Sequence, residues 1–240
     1  MTDSHIHIGQ FYDTYYDPAE IIRIVMESGA EGLVFSSTTS CKDDVTYTEV
    51  EKEIAGLFSR IPWSAEMVKP YLWYIPSYSA QGVTPETAIA NLPYKGIKLH
   101  PLANHWDLED TETVSILHGL FDYARRHTLP VLMHTGHSGV DAADTFSAFF
   151  SEYPEVHITL AHCRPLDQTI DMMQKHKNIY CDTAFVEEEA IRRIIGAGFA
   201  PRIVLGSDFP ITHYFRTKYP PEGENPAMSL EEKYREDINK

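Results

Sequence analysis

The chain has 240 residues, of which 43% are hydrophobic and 12% aromatic, so we predict one domain with a single sizeable core over residues 1–240. Its 20 basic and 35 acidic residues give a formal net charge of −15, which argues against nucleic acid or an anionic membrane as a partner because both attract a basic face. The 3 cysteines lie far apart, and neither a signal-peptide pattern nor a long apolar run is present, so we expect a cytoplasmic protein.

The first half of the chain alternates short apolar runs with amphipathic segments. A strand is predicted around His5 and His7, followed by a helix in which Asp17 is the N-cap and Pro18 the first helical residue. Period-two and helical patterns predict further elements in this half. The strands are expected at 32–36, 70–75 and 95–100, and the helices at 47–61 and 84–92.

The second half repeats this alternation. Strands are predicted at 131–135, 157–162, 179–182 and 203–208, and helices at 111–127, 141–153, 167–176, 187–197 and 229–240. Near-continuous apolar strands joined by amphipathic helices indicate an α/β protein with a parallel sheet, and this number of units favours a (β/α)8 TIM barrel. An open doubly wound sheet is the alternative, although no glycine-rich phosphate turn follows the first strand.

His5 and His7 are two residues apart in a predicted strand, so their side chains point to the same side. Two neighbouring imidazoles suit a divalent metal ion. The alternative interpretation is that the two histidines lie on an exposed strand edge and bind nothing. In a barrel, residues at the carboxyl ends of the strands meet at one rim. The polar residues that end the predicted strands are His5, His7, Lys98, His100, His134, His162 and Asp208. Because such residues recur at the ends of several predicted strands, we favour a metal site. The alternative is that each one is an unrelated polar residue that forms hydrogen bonds at the end of its strand.

The segments DSHIHIG, GIKLHP, VLMHTGHSG, TLAHC and LGSDFP, in this order, resemble the amidohydrolase superfamily of metal-dependent barrel enzymes. The similarity is greatest to the branch that includes aminocarboxymuconate semialdehyde decarboxylase. The resemblance implies one divalent ion, expected to be zinc, held by His5, His7, His134 and Asp208. Asp208 and His162 would then be the catalytic residues, with His162 orienting the attacking water or polarising the substrate.

Lys98 leaves the metal count open. In the branch that includes dihydroorotase, a lysine in this position is carbamylated and bridges two metal ions. By that resemblance, Lys98 and His162 would both be further metal ligands. In the mononuclear branch the lysine stays unmodified. For the substrate we predict contacts from His100, His137 and Arg164, because a cation at the mouth of an acidic barrel suits a carboxylate.

Three functions remain open at this point. The leading one is a metal-dependent hydrolase that uses a metal-activated water on a small-molecule amide, lactone or related carbonyl bond. The alternative is a decarboxylase or hydratase, a lyase that acts on an unsaturated carboxylic acid at the same site. The third is a metal-binding barrel without catalysis. The expected partner is a small-molecule substrate, and the oligomeric state is open, a homodimer being one alternative.

Overall fold

The computed structural model describes residues 1–137, 139–223 and 226–239. The strands, in chain order, are β1 (Thr2–Phe11), β2 (Thr14–Tyr16), β3 (Gly32–Ser37), β4 (Val68–Trp73), β5 (Gly96–Leu99), β6 (Val131–His134), β7 (Ile158–Ala161), β8 (Ile179–Asp182) and β9 (Ile203–Val204). The helices are α1 (Pro18–Glu27), α2 (Tyr47–Ala55), α3 (Pro76–Ala80), α4 (Pro85–Asn91), α5 (Thr111–His127), α6 (Ser147–Glu152), α7 (Leu166–Lys175), α8 (Glu188–Gly196), α9 (Ile211–Lys218) and α10 (Leu230–Ile238). Lys240, the end of the last predicted helix, lies outside the described residues.

The chain divides into two compact units. The first comprises Met1–Pro70 and Leu205–Lys240, and the second comprises Tyr71–Val204. The division falls within β4 and directly after β9. One domain over residues 1–240 stays a prediction.

In the first unit, β1 pairs in parallel with β3 and in antiparallel orientation with the short β2. The segment 205–209 runs beside the other edge of β1. The Ser4 N–H donates to the Leu205 carbonyl at 2.8 Å, and the Asp208 N–H donates to the His5 carbonyl at 2.8 Å. The end of the last predicted strand therefore lies next to the first strand, as closure of a barrel requires.

In the second unit, each strand from β4 to β9 pairs in parallel with the next one along the chain. Helices follow most of these strands, so the unit repeats the strand–helix alternation. Within the described ranges, β1 and β3–β9 supply the parallel strands of a (β/α)8 barrel, which confirms the predicted fold class.

The start of α1 follows the predicted capping pattern. The Asp17 side chain accepts the backbone N–H groups of Ala19 and Glu20, both at 3.0 Å, at the start of α1. At the start of α10, Ser229 and Glu232 form a capping box. Within the described ranges, no helix combines the length and apolar character needed to cross a membrane.

Several predicted boundaries were wrong. The helix predicted at 47–61 ends at Ala55 and gives way to a 3-10 turn, because Gly56 is a poor helix former. The helix predicted at 141–153 begins only at Ser147, since the Thr145 hydroxyl donates to the Gly139 carbonyl at 3.0 Å and competes with helical bonding. The strand predicted at 203–208 is regular only over β9, and β2, α3 and α9 were missed.

Candidate active site

The two histidines of β1 and the aspartate that follows β9 form a compact triad in the first unit, the His5–His7–Asp208 triad. The Nε2 atoms of His5 and His7 are 3.1 Å apart, and Asp208 Oδ1 lies 3.2 Å from the first and 2.9 Å from the second. All three residues are buried. Two ligands of a tetrahedral zinc ion are about 3.3 Å apart. The triad therefore has a spacing that could hold a metal ion.

The neighbouring strand β3 orients His7. The β1–β3 register places His7 beside Ser36, and His7 Nδ1 lies 3.3 Å from the Ser36 carbonyl and 3.2 Å from its hydroxyl. A carbonyl oxygen can only accept, so Nδ1 carries the proton and Nε2 keeps its lone pair. This is the tautomer that a metal ion requires at Nε2.

Asp3 connects the backbone of β1 to the segment that carries Asp208. Its Oδ1 accepts the backbone N–H groups of His5 and Ser207, both at 3.1 Å. Burial raises the pKa of Asp3 to about 7. Sequence reasoning assigned no role to Asp3, and period-two alternation could not have placed it, because the β1–β3 register is irregular between Asp3 and Ile6.

The second unit holds a separate group of strand-end side chains, the second-unit cluster of Lys98, His100, His134, His162 and Asp182. His134 Nδ1 and His162 Nε2 are 3.1 Å apart. The rings of His100 and His134 stack with their centroids 3.7 Å apart. As the strand pattern predicts, these side chains gather at the carboxyl ends of β5 to β8.

Lys98 is almost fully buried, at 1% exposure. Its Nζ lies 5.5 Å from the centroid of the Trp73 ring, and the same ring stacks on His100 at 5.7 Å. Lys98 and His100 therefore share a face of β5, as their spacing predicts. Carbamylation of Lys98 stays a prediction.

Asp182, the last residue of β8, was missed by the sequence reasoning. It is fully buried, and its Oδ1 accepts the N–H of His162 at 2.9 Å and the N–H of Ala184 at 3.2 Å. Burial raises its pKa, while the hydrogen bonds from the His162 and Ala184 amides and the charge of Lys98 oppose that rise. Its place at the end of a predicted strand, like that of the other site residues, was the signal that could have identified it.

The predicted substrate-binding residues also belong to the second unit. The Arg164 guanidinium donates to the Phe185 carbonyl at 3.3 Å and lies 6.0 Å from the centroid of the Phe185 ring. His100 Nδ1 accepts the Ala103 N–H at 3.2 Å. His137 is exposed and lies near Asp141, whose pKa is raised by burial against a smaller opposing effect of His137. The roles of these residues toward a substrate stay predictions.

The predicted metal ligands thus fall in both units. The structure brings His5, His7 and Asp208 together in the first unit. His134 belongs to the second unit, and its role as the fourth ligand stays a prediction.

A (β/α)8 fold with imidazole and carboxylate groups at its strand ends defines a class of metal-dependent barrel enzymes. The family model described as Amidohydrolase matches residues 83–237, and the chain belongs to this family. The protein is therefore an enzyme of the metal-dependent hydrolase superfamily. Membership of the branch that includes aminocarboxymuconate semialdehyde decarboxylase stays a prediction.

Several solved structures share the fold. A TatD homologue from Escherichia coli K12 superposes with a TM-score of 0.58 at 14% sequence identity. The match covers 98% of this chain and 86% of the homologue's chain. A variant of the organophosphorus hydrolase from Deinococcus radiodurans has a TM-score of 0.53 at 12% identity, covering 86% of this chain and 75% of its own. An N-acetylneuraminate lyase from Mycoplasma synoviae superposes with a TM-score of 0.54 at 13% sequence identity. The match covers 99% of this chain and 80% of the lyase chain. No curated protein matches the chain in sequence.

Proposed function

We propose that this enzyme hydrolyses an amide, lactone or related carbonyl bond of a small molecule, with a divalent ion at the His5–His7–Asp208 triad. The observation that carries the proposal is the convergence of two imidazole nitrogens and one carboxylate oxygen within 3.2 Å of one another. Nitrogen donors together with one carboxylate suit a borderline ion, so zinc is the proposed metal. His134 is proposed as the fourth ligand on the basis of the sequence pattern.

A bound divalent ion would supply a polarised carbonyl and an activated water. Asp208 then takes a proton from the attacking water and returns it to the leaving group. His7 keeps its nitrogen aimed at the triad because Ser36 holds the opposite nitrogen of the ring. With the Ser36 contact in place, no change of tautomer is needed before the reaction.

His162 is proposed to orient the attacking water. Its Nδ1 lies 3.1 Å from the Ala184 carbonyl, so Nδ1 carries the proton and Nε2 is an acceptor. An acceptor suits the hydrogen of a water molecule better than it suits a substrate oxygen, and the water would take the place of His134 Nδ1, which lies 3.1 Å from Nε2. This tautomer therefore favours orientation of the water over polarisation of the substrate, the two roles that the resemblance implied.

We further propose that the substrate carries a carboxylate or a similar hydrogen-bond acceptor. The planar Arg164 guanidinium, held at one side by a main-chain carbonyl, suits bidentate contact with a carboxylate. His100 accepts at Nδ1, which makes its Nε2 the donor of the neutral ring. His137 is proposed as a third contact.

The experiment is turnover in oxygen-18 water by the zinc-loaded enzyme, with a panel of amides, lactones and unsaturated carboxylic acids. A hydrolase places solvent oxygen in the acyl product. Asp208→Asn should lower kcat by roughly 10²–10⁴ because the amide cannot take the proton, whereas the control Asp171→Asn alters only an exposed ion pair with Lys175. Carbon dioxide release with no solvent oxygen in the organic product would establish the lyase alternative instead.

A further inference from the structure

We propose that Asp182 is a positioning residue that sets both the backbone conformation and the ring tautomer of His162. This inference rests on the proposed function only in that His162 acts in the reaction. The positioning itself is a property of the second unit. Two separate hydrogen-bonded connections link one carboxylate oxygen to His162, one of them direct and the other through residue 184.

The first connection acts on the backbone. His162 has a φ of 70° and Cys163 a φ of 54°, so two consecutive non-glycine residues adopt left-handed conformations. Each such residue costs of order 1–3 kcal/mol and persists only where its surroundings hold it. Asp182 Oδ1 accepts the His162 N–H at 2.9 Å at the start of this turn. The carboxylate therefore stabilises the bend that directs the His162 side chain.

The second connection acts on the imidazole. The same oxygen, Asp182 Oδ1, accepts the Ala184 N–H at 3.2 Å. The Ala184 carbonyl in turn accepts from His162 Nδ1 at 3.1 Å. By holding residue 184 in place, Asp182 fixes the carbonyl that keeps the proton on Nδ1. His162 Nε2 is thereby kept as the acceptor that lies 3.1 Å from His134 Nδ1.

The first unit contains the same arrangement. Asp3 Oδ1 accepts the N–H of His5 and the N–H of Ser207, and both aspartates are buried to within 1% of full burial. A buried carboxylate is costly unless its hydrogen bonds and neighbouring charges compensate. Its occurrence beside a site histidine in each unit indicates that the backbone amides of these histidines need an acceptor stronger than a neutral oxygen.

The direct test is the imidazole nitrogen NMR spectrum of the zinc-loaded protein, with His162 assigned by its loss in His162→Gln. The wild type should show the Nδ1–H tautomer at His162. Asp182→Ala should give shifts averaged between tautomers, and Asp182→Asn, which offers the same amides only a neutral acceptor oxygen, should shift partway in the same direction. Asn178→Ala is the matched control, because Asn178 precedes the same strand and donates to the Val156 carbonyl at 3.0 Å.

Kinetics provide the second measurement. Loss of a positioning partner should lower kcat by roughly 10–100-fold in Asp182→Ala with little change in KM, whereas Asn178→Ala should lower the melting temperature and leave kcat unchanged. A wild-type tautomer in Asp182→Ala, or an equal tautomer change in Asn178→Ala, would overturn the proposal. If Asp182→Ala does not fold, an unaltered tautomer in Asp182→Asn would overturn it. The NMR result does not depend on turnover, so failure of the positioning and failure of the hydrolase assignment are distinguishable.

Discussion

Replacement of Gly9 by alanine tests how β1, the strand that carries His5 and His7, is held. Gly9 lies two residues beyond His7 and has a φ of +86°, a conformation that L side chains rarely adopt. A Cβ atom at this position would lie 2.5 Å from Thr39 Oγ1 and 2.8 Å from each carboxylate oxygen of Glu53. Neither group can withdraw at no cost, because the Thr39 hydroxyl donates to Glu53 at 3.0 Å and accepts the Gln10 N–H at 3.0 Å.

Two terms set the size of the effect. The left-handed conformation costs an L residue about 1–2 kcal/mol, and overpacking costs about 1–3 kcal/mol. Together these terms lower the free energy of unfolding by about 2–5 kcal/mol. In a chain of this size, about 1 kcal/mol corresponds to about 2–4 °C in melting temperature. Gly9→Ala should therefore melt about 4–20 °C below the wild type.

Thermal unfolding followed by circular dichroism is the assay, with two glycine controls. Gly82 has a φ of +74° and nothing within 4 Å of its Cβ position, so Gly82→Ala reports the conformational cost alone. Gly119 lies within α5 with open space around its Cβ position, and Gly119→Ala should stabilise the protein by about 0.5–1 kcal/mol. If Gly9→Ala melts no lower than Gly82→Ala, the close contacts with Thr39 and Glu53 do not constrain this strand.

Two further predictions concern the metal and the pH dependence. His5→Ala should lose most of its zinc on dialysis, measured by elemental analysis, and parallel loss in His134→Ala would support its role as the fourth ligand; wild-type metal content in His5→Ala would place the site elsewhere. Burial raises the pKa of Glu53 above its ordinary value of 4.5, so its contribution to stability is complete below that value and is lost as the pH rises through the raised pKa. Urea unfolding at pH 4 to 8 should show this decline, and Glu53→Gln should remove that part of the pH dependence.

The strand order and most helices could be predicted from the sequence because they depend on local, repeating signals. Apolar β-branched runs mark the strands, and the capping residue Asp17 marks the start of α1 where the structure has it. The errors occur where a side chain competes with the backbone, as at Thr145, whose hydroxyl bonds the Gly139 carbonyl. That competition depends on the local turn geometry, which a hydrophobic pattern does not encode.

The site was predictable to the extent that its residues project from strand ends. His5 and His7 share a face by strand periodicity, and the barrel topology brings Asp208 beside them. Asp3 and Asp182 were missed because the hydrogen bonds that they accept come from backbone N–H groups. Which backbone amides a carboxylate can reach depends on the turn that the chain makes. The pattern of side chains in the sequence does not specify that turn.

The same two aspartates hold the backbone beside the site residues in both units. His162 and Asp208 have φ values of 70° and 58°, so each unit has a left-handed turn at a residue proposed to act in the reaction. Such turns are unfavourable in isolation, and hydrogen bonds to Asp182 and Asp3 hold the adjoining backbone in each case. Because these hydrogen bonds hold the backbone beside the triad, a metal ion at the proposed site would have less conformational entropy to overcome on binding.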